Sequence, residues 1–160
     1  MERAMSIGSA SIKAQQGVTF LWAMLLLVIL SLGLGRLLEI QSTRTQRALE
    51  AELLWVGEQY RRGIERYYQA SPGEVKQLPY KLDDLLQDPR LLTLTRHLRK
   101  AYADPVNGQP FMEIHDHRGM LIGVRSTSTR QPVKTDGFAS YYAHFSKATG
   151  YHQWEFIFLP

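Results

Sequence analysis

His115-x-His117 sets two imidazoles two residues apart, a spacing that turns both to one side of a strand. Such a pair holds a metal ion only when further ligands join it. Here Asp116 points the opposite way and no nearby carboxylate completes the set, so the pair reads as a solvated hairpin turn. Ser126, Ser128 and Ser140, with His144 or His152, supply the residue types of a hydroxyl nucleophile and its base. No Gly-x-Ser-x-Gly elbow is present, however, and no spacing sets base beside nucleophile. The chain has no cysteine, which removes disulfide scaffolds, thiolate zinc sites and cysteine nucleophiles together. These residues point to no catalytic site, no metal and no cofactor.

The elements that would carry any function are therefore the ones to read. At 160 residues the chain has room for one domain of about 100 residues plus a special segment. The net charge of +4 and pI of 9.4 are modest, and Arg61, Arg62 and Arg66 alternate with Glu58 and Glu65. A nucleic-acid stripe would cluster its cations without interleaved acids, so no nucleic-acid partner is expected.

The segment KAQQGVTFLWAMLLLVILSLGLGR contains no charge between Val18 and Gly35. About 18–20 such residues at 1.5 Å each match a hydrocarbon core of about 30 Å, which predicts a membrane-spanning helix. A cleaved secretory signal has an apolar region of about 7–15 residues and a small-x-small exit. This run is longer and leaves through Arg36-Leu37-Leu38-Glu39. Arg3 and Lys13 on one side face Arg36, Arg44 and Arg47 on the other, so counting cations does not orient it.

No proline interrupts the next stretch until Pro72, and Ser71-Pro72-Gly73 is the first stop signal. Leu49, Leu53, Val56, Tyr60, Ile64 and Tyr67 form one helical stripe. Glu50, Glu58, Arg61, Arg62 and Glu65 are assigned to the opposite, polar face. Gly57 and Gly63 each weaken a helix by about 1 kcal/mol, so the stripe needs a partner surface. Trp55, Tyr60, Tyr67 and Tyr68 are read as packing beneath that surface rather than as a ligand-stacking platform.

YKLDDLLQDP and RLLTLTRHLRKAYADP read as short helices, each stopped before a proline. The period then changes. Asn107-Gly108 is a turn, residues 111–115 a strand, 116–119 a turn and 120–125 a strand with Met120, Ile122 and Val124 on one face. A third strand runs through Trp154, Phe156 and Phe158; STSTRQPVKTDG is a polar loop and FASYYAHFSKATG a short helix or irregular packing segment. The expected fold is α+β, a long N-terminal helix packed on a small antiparallel sheet with short helices.

A polar leader containing Lys13, then Gly17, then VTFLW opening an apolar run that passes into an amphipathic helix, resembles the prepilin signal of type IV pilins and type II secretion pseudopilins. LPYKLDDLLQD and YADPVNGQPF are similar to the major pseudopilin's proline-leucine segment before a short helix and its turn into the sheet. The resemblance implies a pilin-like fold with three parts: a leader over residues 1–17, a transmembrane and assembly helix over 18–38, and a periplasmic domain over 39–160 whose amphipathic helix ends near residue 70. It further implies cleavage between Gly17 and Val18 by a prepilin peptidase, N-methylation of Val18, and assembly through Phe20, Leu21, Trp22 and Leu25.

Two positions depart from the family. Trp22 stands at the fifth mature position, where the family carries a glutamate thought to pair with a neighbour's N-terminal amine. The loop STSTRQPVKTDGF offers only Asp136, whereas major pseudopilins bind calcium in an aspartate-rich loop, so no calcium site is expected. The implied role is a non-enzymatic structural subunit of a type II secretion pseudopilus. Its partners would be other pseudopilin subunits, the prepilin peptidase and the inner-membrane assembly platform. Its location would be the inner membrane, single pass, with a cytoplasmic N-terminus and periplasmic domain, and the pseudopilus after assembly. A minor type IV pilin, or an uncleaved single-pass protein with a periplasmic binding or enzymatic domain, is the alternative.

Overall fold

The computed structural model describes residues 13–160; within the first helix, the side chains of 13–17 and 32–40 lie outside the described residues. The leader expected over 1–17 therefore falls outside them, apart from the backbone of 13–17. Helix α1 spans Lys13–Gln69, α2 Asp83–Leu86, β1 Met112–His115, β2 Leu121–Arg125 and β3 Glu155–Ile157. Short 3₁₀ helices occupy Ser140–Lys147 and Tyr151–Gln153. The residues up to Ser42 form one unit and Thr43–Pro160 another.

In the second unit the helical stripe behaves as its spacing demands. Leu53, Val56, Tyr60, Ile64 and Tyr67 are buried, and Leu49 is half-buried. They pack with Leu121 and Val124 of β2, Phe156 of β3, and Phe145, Tyr151 and Trp154 from the C-terminal segment. The sheet is three-stranded and antiparallel in the order β1-β2-β3. Between β1 and β2, Asp116 Oδ1 accepts the N–H groups of Arg118 and Met120 while Gly119 takes φ +76°, which closes the hairpin at the expected turn.

Gly57 has a packing reason to be glycine. A Cβ at that position would stand 2.4 Å from the Phe156 ring, so the helix is bare where β3 lies against it. At Gly123 the constraint comes from the sheet, since a Cβ there would meet the Phe156 carbonyl oxygen at 2.6 Å.

Three expectations are corrected. RLLTLTRHLRKAYADP forms no helix: the Asp88 N–H donates to the Thr95 carbonyl, and the His97 and Leu98 N–H groups both donate to the Leu85 carbonyl, so tertiary bonds replace helical ones. Leu121 of β2 joins Val124 in the core, while Ile122 and Met120, the residue before the strand, are only half-buried. The register shift between Ile114 and His115 breaks strict alternation there. Glu50, assigned to the polar face, is 2% exposed. Among the described residues no helix is long and apolar enough to cross a membrane. The span expected over 18–38 lies partly on side chains outside the described residues.

Candidate functional site

The molecule carries two kinds of candidate site: polar clusters inside the folded domain, and the apolar surface of α1.

The carboxylate of Glu50 accepts the N–H groups of Val133 and Lys134 and the Tyr151 hydroxyl, and Gln46 Nε2 donates to that same tyrosine oxygen at 2.9 Å. Burial, and then the hydrogen bond to Glu50, push the Tyr151 phenol up to about 12. A helix residue thus pins a polar loop across 83 positions of sequence.

Asp88 is fully buried and receives Arg90 at 2.7 Å and His97 Nε2 at 2.9 Å. Arg90 also donates to Ser71 Oγ and the Tyr67 carbonyl, and its guanidinium lies 3.5 Å from the Tyr67 ring centre. The Arg90 hydrogen bonds hold the Asp88 carboxyl well below the usual carboxylate range. The guanidinium meets the C-terminus of α1, where a cation satisfies a free carbonyl.

Glu58 receives Arg61, Arg62 and the Tyr142 hydroxyl. Burial works to raise its carboxyl, but these bonds outweigh it and hold the group at about 2. Asp104 accepts from the Ser126 hydroxyl and from the Val106 N–H, which shapes the turn at Asn107-Gly108.

Each cluster joins a helix or turn to a loop and spends its acceptors on internal donors. Ser126 meets an aspartate and no histidine. Contrary to the expectation that no carboxylate lies near the histidine pair, Glu113 stands 3.2 Å from His115, which also contacts the Tyr80 carbonyl, while His117 contacts Arg118. Among the described residues no group of three His, Asp or Glu side chains is placed to hold a metal ion. Sequence reasoning missed Glu50 and the Asp88–Arg90–His97 set as anchors. For Glu50 the available signal was its place one residue from Leu49 and three from Leu53, at the border of the stripe.

The apolar surface of α1 differs in kind. Val18, Phe20, Leu21, Trp22 and Leu25 lie on the helix with Met24, Leu26, Leu27, Val28, Ile29 and Leu30, and all eleven side chains are 49–67% exposed. Gly17 lies on the helix as backbone, its surroundings outside the described residues. Burying one such side chain is worth about 1.5–3 kcal/mol, so eleven represent on the order of 15–30 kcal/mol. This exposed apolar surface encircles the helix instead of forming one face.

In comparisons with known proteins, the chain matches no family model, no curated protein and no solved structure. The functional reading therefore rests on the residues themselves.

Proposed function

We propose that the protein is a non-enzymatic structural subunit of a type II secretion pseudopilus, stored in the inner membrane and assembled through its N-terminal helix. The observation that carries this reading is the ring of exposed apolar side chains from Val18 to Leu30, continuous on one helix with the stripe sealed beneath the sheet. Lipid covers such a ring in a single chain, and neighbouring helices cover it in a filament. Exchange between the two carries little hydrophobic penalty.

The described apolar stretch 18–31 measures about 21 Å at 1.5 Å per residue, short of a hydrocarbon core of about 30 Å. In this reading the remainder of the 18–38 segment supplies the rest. The polar leader ends at Gly17, Val18 becomes the methylated N-terminus, and Phe20, Leu21, Trp22 and Leu25 pack against other pseudopilin subunits. The domain lies in the periplasm, and the prepilin peptidase and inner-membrane platform act on the opposite end. The polar clusters of the domain fit this role, since each spends its acceptors on holding elements together.

Trp22 favours a minor subunit over a major one. It is 66% exposed and places a broad apolar ring where an N-terminal amine of a neighbour would otherwise find a carboxylate. Assembly at that position proceeds by packing, and an unpaired charge in lipid is avoided.

Mass spectrometry of the mature N-terminus, in cells with and without a prepilin peptidase, tests the reading. The expected mature chain begins at methylated Val18 only when the peptidase is present, and Gly17→Val abolishes it. A chain retaining residues 1–17 in peptidase-positive cells overturns the proposal in favour of an uncleaved anchor.

A further inference from the structure

The loop between Asp88 and His97 has a closed base and a projecting apolar tip. At its base the Asp88 N–H donates to the Thr95 carbonyl, and the Asp88 carboxylate joins Arg90 to His97. Beyond that base Leu92 is fully exposed and Leu94 is 65% exposed. A loop tied this firmly presents its leucines instead of folding them inward. Single exposed leucines are ordinary, so the tip alone decides nothing.

The charge beside it is the second observation. A groove of about 310 Å³ is lined by Leu86, Gln87, Leu94, Arg96, Arg99, Lys100 and Ala101, with no acid among them. Among the described residues Arg96 and Arg99 make no ion pair, and Lys100 meets only the Tyr102 ring, at 5.1 Å. Of the acids nearest in sequence, Asp88 is spent on Arg90 and His97 and Asp104 accepts the Ser126 hydroxyl and the Val106 N–H, while the exposed Asp83 lies beside Lys81. Three cations without an ion pair therefore stand beside the exposed Leu92 and Leu94.

We propose that this loop is a docking surface for a bilayer containing anionic lipid, with Leu92 and Leu94 entering the acyl boundary and Arg96, Arg99 and Lys100 meeting lipid phosphates. Cations with adjacent apolar tips are the chemistry of the interfacial zone. An acidic protein segment would satisfy the cations, but it would need a recess for the leucines, and Leu92 projects instead of lining the groove. The inference stands apart from cleavage and assembly, requiring only that the domain meet a lipid surface.

The absence of cysteine makes the test direct. Leu92→Cys in the full chain, labelled with a polarity-sensitive fluorophore, is placed in nanodiscs of phosphatidylcholine alone or of phosphatidylcholine with phosphatidylglycerol. The expected result is a blue shift, with quenching by brominated lipid, in the anionic discs only. Each cation removed should weaken the docked fraction roughly fivefold, so Arg96→Glu, Arg99→Glu and Lys100→Glu together abolish the shift. Near-ultraviolet circular dichroism of the variants checks that the domain remains folded, and single Arg99→Gln replaces the triple variant if it does not. A probe that stays in water while the chain co-elutes with anionic discs overturns the docking proposal and leaves the membrane anchor intact. Failure to co-elute with either disc overturns both. A shift produced by polyglutamate but not by anionic discs assigns the surface to acidic protein and refutes the lipid reading.

Discussion

Replacing Glu50 with alanine tests whether the polar clusters are anchors. The substitution removes the acceptor of two backbone N–H groups and of the Tyr151 hydroxyl, and it does so at a position 2% exposed. Hydrogen bonds to a charged group contribute about 1.5–3 kcal/mol each. Val133 and Lys134 are half-buried and regain water, which reduces their share; Tyr151 is fully buried, and its donor is left without a partner. The expected loss is about 3–5 kcal/mol, a large part of the roughly 5–15 kcal/mol available to a domain. Glu50→Gln keeps the shape but turns an amide NH₂ toward N–H groups, and should lose about 1–3 kcal/mol. Urea denaturation of the full chain in detergent, followed by fluorescence of buried Trp154, reads both values. Amide exchange over residues 131–134 reads the loop itself, which should open before the sheet. In Glu50→Gln the Tyr151 phenol should also titrate below its present value of about 12, since burial remains but the carboxylate is gone. A Glu50→Ala loss under about 0.5 kcal/mol, the range of ordinary surface substitutions, would refute the anchoring argument.

The two helix glycines should respond with opposite signs. Gly57→Ala drives a methyl into the Phe156 ring, which Tyr142 and Phe145 hold in place, and should cost about 1–3 kcal/mol despite better helix propensity. Gly63→Ala meets only ordinary contacts at 3.5 Å and beyond, and should gain up to about 1 kcal/mol, both read as shifts in denaturation midpoint. The Glu58 carboxyl is depressed from 4.5 to about 2, so its contribution is present above pH 4.5 and is lost as pH falls toward 2. With Arg62 partly in solvent, that contribution is about 2 kcal/mol, and Glu58→Gln should remove it at pH 6 while changing stability little at pH 2.

Much of the architecture was legible because local periodicity and burial share one geometry. The steps of 4, 3, 4, 4 and 3 from Leu49 to Tyr67 place those residues on one helical face, and the described structure buries that face under the sheet. The hairpin at residues 116–119 was legible for a related reason, since aspartate and glycine satisfy the turn from within four residues. The failed helix after Arg90 shows where such reasoning ends. Leucines in that stretch suit a helix, but a buried aspartate with an arginine and a histidine to satisfy outbids it, and those partners meet only in the folded chain.

The exposed ring on α1 belongs to the sequence alone. Eleven apolar side chains encircle the helix because no charged residue interrupts the run. Glu50 belongs to the tertiary structure. A carboxylate beside an apolar stripe is at home in water or buried, and only the arrival of Val133, Lys134 and Tyr151 from the far end of the chain decides between them. Periodicity determines which way a side chain points from its own element. What it meets there depends on residues distant in sequence, and that is settled by the fold.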